Sequence, residues 1–196
     1  WQVPVGGKGF ALKDCDPVDA PVDHEVEVLD RPVLVVRRRA EDDRVAEVAR
    51  GVRVRAAAIA EIAFLPFDTP VRLPSKGLAA RACEQIRAYA DDPARGIDLP
   101  LAVEGSEFQQ RVWAAIARIP SGATRTYGEL ARELGSTARA VGQACGDNRL
   151  PLAIPCHRVV AARGTGGFAH RTDRVMLDVK RWLLAHESRP AFALTP

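Results

Sequence analysis

The sequence predicts an α+β protein with two parts, a small antiparallel sheet with one helix and a mostly helical unit after it. Short β-rich runs are confined to residues 31–67, and helical periodicity dominates residues 105–187. Charge divides the chain similarly. Residues 1–107 carry 15 Lys and Arg against 19 Asp and Glu, whereas residues 108–187 carry 12 against 6. The basic part is nearly all arginine, which suits phosphate contacts, although charge alone more often indicates a solvated face.

Composition is that of an ordinary globular protein, with 47% hydrophobic and 27% charged residues. No apolar run approaches the roughly 18–20 residues of a membrane span, so no membrane partner is predicted. Four cysteines without paired Cys-x-x-Cys spacing predict no disulfide framework, and they fit a reducing, cytoplasmic location. Cys15 and His24 could be half of a metal site, but no second pair stands out. We therefore predict no metal site and no cofactor.

The chain is expected to divide into four segments. Asp, Pro and Gly crowd the first, and Pro and Gly also mark the third. The segments are a poorly structured stretch at residues 1–30, a sheet-plus-helix domain at 31–92, a linker at 93–104 and a mostly helical domain at 105–190.

Three β-rich runs predict the sheet, at residues 31–36, 51–55 and 60–65. The last two could pair as a hairpin across residues 56–59, although consecutive alanines are poor turn formers. A helix is predicted over residues 77–90, because one stripe of it is apolar: Leu78, Ala82, Ile86 and Tyr89. Cys83 lies within this helix, which indicates a role in the core.

Two capping boxes mark the second domain. Ser106 and Gln109 begin a helix over residues 107–118, and Thr126 and Glu129 begin a shorter one. In each box the hydroxyl accepts from a free backbone amide and the longer side chain binds back to the cap. A last helix is predicted over residues 175–186, ending at Glu187, after a flexible loop at residues 163–167.

A tight turn joins the two short central helices. Gly135 ends the first, and Ser136 or Thr137 caps the second, which covers residues 138–145. This arrangement predicts a helix-turn-helix, and the pattern alone fits an ordinary helical hairpin equally well. The small residues of the second helix would let its backbone approach a partner, with Arg139 projecting near its start.

The candidate reactive group follows the apolar run of residues 150–154, which predicts a buried strand. Cys156 and His157 come directly after it. A thiol is a good nucleophile only as the thiolate, and an imidazole can take its proton. A bare Cys-His pair is more often an inert core cysteine beside a chance histidine, so the neighbouring motifs decide the interpretation.

Those motifs resemble the methylated-DNA–protein-cysteine methyltransferases, also called O6-alkylguanine-DNA alkyltransferases. The resemblance covers roughly residues 105–187. It consists of Phe108-Gln109 with Val112-Trp113, Ile119-Pro120-Ser121-Gly122, Thr126-Tyr127, Arg139-Ala140-Val141-Gly142, Asn148, Ile154-Pro155-Cys156-His157-Arg158-Val159 and Trp182-Leu183-Leu184 before Glu187. The first domain matches more loosely. The resemblance implies a ribonuclease-H-like first domain and a winged-helix-like second one.

The resemblance implies a role for each residue of the reaction centre. Cys156 would accept an alkyl group, and His157 would act as its base through a water molecule, since neighbours on a strand point to opposite sides. Glu187 would orient and charge-stabilise His157, as in a catalytic triad. Without the resemblance, Glu187 indicates only a solvated carboxylate at a helix end. Asn148 would brace the turn before the strand of Cys156. Tyr127 would assist base flipping and donate a proton to guanine N3. The alternative for Tyr127 is a half-buried aromatic of the core.

The resemblance also implies how DNA is bound. The substrate base must be rotated out of the duplex, and Arg139 would take its place while the second helix enters the minor groove. The remaining DNA contacts would come from Arg125, Ala138, Ala140 and Gly142. The pocket for the base would be formed by Trp113, Val159, Phe168 and Ala169, with the carbonyls of Cys156 and Val159 holding the base. Phe168 stands where tyrosine is common, and His170 and Arg171 replace two glycines.

The resulting hypothesis is DNA repair by direct reversal of damage. A monomer would bind double-stranded DNA containing alkylated bases and move the alkyl group of O6-methylguanine, and of O4-methylthymine, irreversibly to Cys156. One alternative is a non-catalytic protein that binds alkylation damage, but such relatives lack the cysteine. Another is a thiol hydrolase that uses Cys156, His157 and Glu187, which would need an oxyanion hole and repeated turnover.

Overall fold

The computed structural model describes residues 33–34, 48–66, 74, 76–172 and 174–188. The possible metal pair Cys15 and His24, and the predicted segment at residues 1–30, lie outside the described residues. Helices and small sheets mix in the predicted order, and one apolar core runs through both parts, from Val52 and Ile86 to Leu183. Within the described residues, no helix is both long enough and apolar enough to span a membrane.

The first part contains an antiparallel sheet of β1 (Val33–Leu34), β2 (Val48–Arg55) and β3 (Ala58–Pro66), in that order. The predicted hairpin of the last two strands is confirmed. Its turn is Ala56-Ala57, with φ of 47° and 60°. Left-handed backbone at both positions is typical of a type I′ turn, which normally has Asn-Gly at these positions. The left-handed conformation costs each alanine roughly 1–2 kcal/mol.

The outer edge of β3 is covered by backbone from the second part. Ile59 N donates to Pro100 O at 2.8 Å, and Ala102 N donates to Ile59 O at 2.9 Å. Ile62 N donates to Arg149 O at 2.8 Å. Part of the predicted linker therefore extends the sheet. The same edge fixes residue 149, just before the segment of Cys156.

Helix α1 (Gly77–Asp91) packs against β2 and β3 and matches its predicted extent. The apolar stripe faces the core as expected, with Ala82, Ile86 and Tyr89 buried. Cys83 is buried beside them, and burial raises the pKa of its thiol.

The second part is built from α2 (Glu107–Ala117), α3 (Tyr127–Glu133), α4 (Ala138–Gly146) and α5 (Arg174–Glu187), with β4 (Arg125–Thr126) parallel to β5 (Val159–Val160). Both predicted capping boxes form. Thr137 is the cap of α4, accepting from Ala140 N, and Gly135 ends α3 with a φ of 61°. The helices α3 and α4 pack against each other across this turn.

The predicted strand at residues 150–154 is wrong. These residues form tight turns, with Ile154 N donating to Leu150 O at 2.8 Å and Leu152 at a φ of 76°. Pro151 and Pro155 have no amide hydrogen for a strand ladder, which favours the turn. Cys156–Arg158 then forms one turn of 3₁₀ helix. Cys156 and His157 are therefore not on opposite faces of a strand.

Candidate active site

Cys156 lies on the wall of a cavity of about 500 Å³ between α4 and the loop of residues 167–172. Only 4% of the residue is exposed. Burial raises the pKa of the Cys156 thiol, while a hydrogen bond from Asn148 and the charge of Lys180 act in the opposite direction. The thiol is therefore neutral at rest and lies beside groups that favour the thiolate.

His157 is buried behind Cys156 and binds a carboxylate. Its Nε2 lies 2.8 Å from Glu187 Oε1, and both side chains are almost fully enclosed. Burial lowers the pKa of His157, although Glu187 acts to raise it, so the imidazole is neutral. The carboxylate fixes the proton on Nε2, which leaves the lone pair on Nδ1. Among the described residues Nδ1 is buried and has no hydrogen-bond partner.

Glu187, the last residue of α5, accepts hydrogen bonds from several directions. Tyr89 Oη donates at 2.7 Å, and Arg158 donates from Nη2 at 2.8 Å and from Nε at 2.9 Å. Gly122 N lies 3.3 Å from Oε2. Burial alone would raise the pKa of Glu187, but the hydrogen bonds from His157 and Arg158 hold it well below its usual value. Glu187 is thus a buried, ionised acceptor and not a solvated carboxylate at a helix end.

Lys180 is a buried cation that the sequence analysis missed. Its Nζ donates to Val159 O at 2.7 Å and to Gly167 O at 2.9 Å, and it lies 3.5 Å from Tyr127 Oη. Burial lowers the pKa of Lys180 to about 8, although the neighbouring thiols act to raise it. The sequence did contain a sign that Lys180 belongs to the site. It is the only lysine among residues 108–187, and it lies two helical turns before Glu187, on the same face of α5.

Arg158 and Tyr89 were also missed as partners of Glu187. Arg158 additionally donates to the carbonyl of Ile119, which ties the turn of Cys156 to the end of α2. Arg158 belongs to the Pro-Cys-His-Arg motif itself, so its position was a usable signal. Tyr89 comes from the other part of the chain, 98 positions from Glu187, and no local pattern indicates that contact.

Asn148 holds the turns between α4 and Cys156. Its Nδ2 donates to Ile154 O at 2.8 Å, and its Oδ1 accepts from Leu150 N at 2.9 Å. Both groups of this buried amide are therefore used within one short segment. Tyr127 lines the cavity on the opposite side, with its hydroxyl 3.4 Å from Gly167 O. Burial raises the pKa of Tyr127, so the hydroxyl keeps its proton.

The predicted DNA contacts are only partly brought together. Ala138, Arg139 and Gly142 line the cavity with Cys156, and Arg139 is exposed at its rim. Ala140 does not line this cavity. Arg125 lies on a different cavity and pairs with Glu133.

The predicted pocket needs two corrections. Phe168 and Ala169 line the cavity, but Trp113 does not, because its ring packs on Gly105 in the core and its Nε1 donates to Ala144 O at 2.7 Å. Val159 is fully buried away from the cavity, and its carbonyl accepts from Lys180. The predicted role of this carbonyl stays a prediction, because a carbonyl oxygen has two lone pairs and can accept a second hydrogen bond.

A buried thiol, a neutral imidazole and an ionised carboxylate define a cysteine nucleophile supported by a His–Glu pair. The cavity of that nucleophile opens beside a helix whose rim residue is arginine, next to a two-helix turn motif. This combination defines a class of protein in which a thiol reacts at a nucleic-acid-binding surface.

Comparison with known proteins specifies the family. The profile described as "6-O-methylguanine DNA methyltransferase, DNA binding domain" matches residues 107–189. A methylated-DNA–protein-cysteine methyltransferase of Mycolicibacterium paratuberculosis is 45% identical over 113 residues, which are 56% of this chain and 66% of that protein. The chain belongs to the methylated-DNA–protein-cysteine methyltransferase family.

Solved structures agree with this assignment. The crystal structure of Mycobacterium tuberculosis O6-methylguanine methyltransferase is 32% identical, with a TM-score of 0.60, and the match covers 73% of this chain and 89% of that one. A structure of the M. tuberculosis protein in complex with DNA matches with 31% identity and a TM-score of 0.57, over 71% of this chain and 86% of that one.

Proposed function

We propose that this protein repairs DNA by moving an alkyl group from the O6 atom of guanine in a duplex to the sulfur of Cys156. The observation behind this proposal is the position of Cys156. It lies on the wall of a cavity whose rim bears Arg139, and the His157–Glu187 pair is directly behind it. The relatives' names describe the same transfer to a cysteine of the protein.

The reaction begins with the proton of the thiol. The lone pair of His157 Nδ1 receives it through a water molecule, and the positive charge that results on the imidazole is stabilised by Glu187. Asn148 and Lys180 stabilise the thiolate, because both lower the pKa of Cys156. Arg158 keeps Glu187 ionised, so the pair is ready before substrate arrives.

The thiolate then attacks the alkyl carbon in line. A carbon–sulfur bond forms, the bond from carbon to O6 breaks, and its electron pair goes to the guanine. Tyr127 supplies a proton at guanine N3, so the base leaves without a negative charge. The atoms balance without any external cofactor. Since no described group at the site cleaves a thioether, each molecule reacts once.

DNA is bound through the basic second part. Phosphate contacts by arginine give affinity that does not depend on sequence, which suits a search for rare lesions. Arg139 fills the gap that the extruded nucleotide leaves, with Ala138 and Gly142 allowing close approach of α4 to the groove. The M. tuberculosis structure in complex with DNA supports DNA as the partner.

Several finer predictions belong to the same proposal. They are the action on O4-methylthymine, the monomeric state, the cytoplasmic location, the ribonuclease-H-like and winged-helix-like arrangements, and the domain limits at residues 31–92 and 105–190. The covered edge of β3 and the packing of α3 on α4 support the two-part arrangement.

Mass spectrometry tests the reaction directly. After mixing with an equimolar duplex that contains one O6-methylguanine, we expect one methyl group on the tryptic peptide of Cys156, with no further turnover when substrate is in excess. Cys156→Ser should take up no methyl group, and Cys83→Ser is the matched control, which should react like the wild type. Continued product release would favour a thiol hydrolase, and an unmodified Cys156 with tight DNA binding would favour a damage-binding protein.

The role of Arg139 has a separate test. Arg139→Ala should slow transfer from duplex DNA much more than transfer from free O6-methylguanine, because only the duplex requires extrusion. Arg81→Ala, on the exposed face of α1, is the control of equal charge change. Equal losses on both substrates would contradict the proposed role of Arg139.

A further inference from the structure

The cavity of Cys156 contains a second thiol. Cys145, in the last turn of α4, lines the same cavity, and 6% of the residue is exposed against 4% for Cys156. Cys83, in contrast, is buried in α1 and does not line this cavity. None of these three cysteines is in a disulfide.

Both thiols line one cavity although they are eleven positions apart in the sequence. Asn148 connects the two ends of the intervening segment. Its backbone N lies 3.4 Å from Cys145 O, and its Nδ2 donates to Ile154 O, two residues before Cys156. Asn148 therefore holds the end of α4 close to the residues just before Cys156.

The electrostatics of the cavity agree with this proximity. Burial raises the pKa of Cys145 to about 12, and the next largest contribution is the charge of the Cys156 thiolate. Lys180 acts on both thiols in the opposite direction. Cys156 is the thiol that forms the nucleophile, because His157, its base, is the next residue in the chain.

We propose that Cys145 and Cys156 form a dithiol that hydrogen peroxide converts to an intramolecular disulfide. In the first step the Cys156 thiolate attacks one oxygen of hydrogen peroxide and the oxygen–oxygen bond breaks. The leaving hydroxide takes the thiol proton held by His157, so a sulfenic acid and one water are formed. In the second step the Cys145 thiol attacks that sulfur, the sulfur–oxygen bond breaks, and a second water leaves. Both sulfurs are oxidised by one electron each, and the peroxide is reduced to two waters.

The disulfide would keep Cys156 recoverable. A sulfenic acid without a nearby thiol is oxidised further to sulfinic and sulfonic acids, which are not reversed by thiols. Because each molecule reacts with DNA once, loss of Cys156 to sulfinic acid would remove the molecule from repair permanently. This consequence rests on the proposed function, whereas the disulfide itself does not.

Peptide mapping of peroxide-treated full-length protein tests the proposal. Arg149 lies between the two cysteines, so trypsin places them on different peptides that only a disulfide can join. In the wild type we expect the mass to fall by two hydrogens, the two peptides to be linked, and the original mass to return on treatment with dithiothreitol. Cys145→Ser should give no linkage and should accumulate sulfinic acid on Cys156, several times faster than the wild type.

A matched variant and a DNA assay complete the design. Cys83→Ser should form the same linked peptides as the wild type. Sulfinic acid forming equally fast in the wild type and in Cys145→Ser, or linkage to Cys15 or Cys83 instead, would overturn the proposal. Methyl transfer by the reduced wild type is measured in parallel. Linked peptides without methyl transfer would refute the proposed function and leave the dithiol standing.

Discussion

Two glutamates of this molecule each pair with two side chains that are arginine or histidine, but one glutamate is buried and the other is partly exposed. Glu187 pairs with Arg158 and an imidazole, and 1% of its side chain is exposed. Glu133 pairs with Arg118 and Arg125, and 35% of its side chain is exposed. The pKa of Glu133 is also below its usual value, because Arg125 hydrogen-bonds it. Although each glutamate has two cationic or imidazole partners, the sites differ greatly, since water can replace the arginines at Glu133 and cannot replace the donors around Glu187.

The largest expected effect is that of Glu187→Gln. The amide cannot match both Arg158 and His157, and it leaves the guanidinium buried without its counter-charge. Removing one partner of a buried pair costs about 3–5 kcal/mol, so the free energy of unfolding in urea should fall by that amount. Methyl transfer should slow by roughly 10²-fold, because His157 loses its orienting partner. A variant as stable and as fast as the wild type would contradict the comparison.

The pH dependence of stability should differ between the two sites. The pKa of Glu187 and that of His157 are both lower in the folded protein than in the unfolded chain, so the unfolded chain binds more protons in acid. Their contribution is complete above pH of about 7 and is lost as the pH falls, first near the ordinary pKa of histidine at about 6.5 and then near that of glutamate at about 4.3. Urea unfolding at several pH values measures this loss. Glu187→Gln should lack the second part of it.

An intermediate effect is expected for Tyr89→Phe. The substitution keeps the buried ring and removes one donor to Glu187, while Arg158 and His157 remain. Loss of one hydrogen bond to a charged group costs about 1.5–3 kcal/mol, which thermal or urea unfolding resolves. A drop as large as that of Glu187→Gln would contradict this ranking, because it would mean that the single hydrogen bond from the hydroxyl contributes as much as the whole carboxylate.

The smallest effect is expected for Glu133→Gln. Its two arginines are exposed and become solvated when the carboxylate is removed, so stability should stay within the error of a urea titration. Methyl transfer should also match the wild type, since neither arginine lines the cavity of Cys156. A loss approaching that of Glu187→Gln would show that burial does not distinguish the two sites.

Sequence patterns predicted the parts of the fold that depend on local chemistry. Ser106 with Gln109, and Thr126 with Glu129, cap helices because the contacts lie within one turn of the chain. The strand predicted at residues 150–154 failed because an apolar run indicates burial and not conformation. There the prolines and the left-handed Leu152 determined a series of turns.

The site was predictable only as far as the motif extends. Cys156, His157 and Glu187 were found through the resemblance, whereas Lys180 and Tyr89 depend on packing between distant segments. Trp113 was misplaced because its position in a motif does not indicate whether its side chain reaches the cavity or packs in the core. Periodicity identifies a buried face, and only the assembled fold shows what that face touches.

The position of Glu187 at the end of α5 determines when the centre is completed during synthesis. A nascent chain that has left the ribosome only as far as residue 172 already contains both cysteines and His157, but neither the lysine nor the carboxylate that act on them. Such a chain has an imidazole of unfixed tautomer and a thiol without its neighbouring cation. Full reactivity of Cys156 therefore arises only after the last helix has been translated and docked.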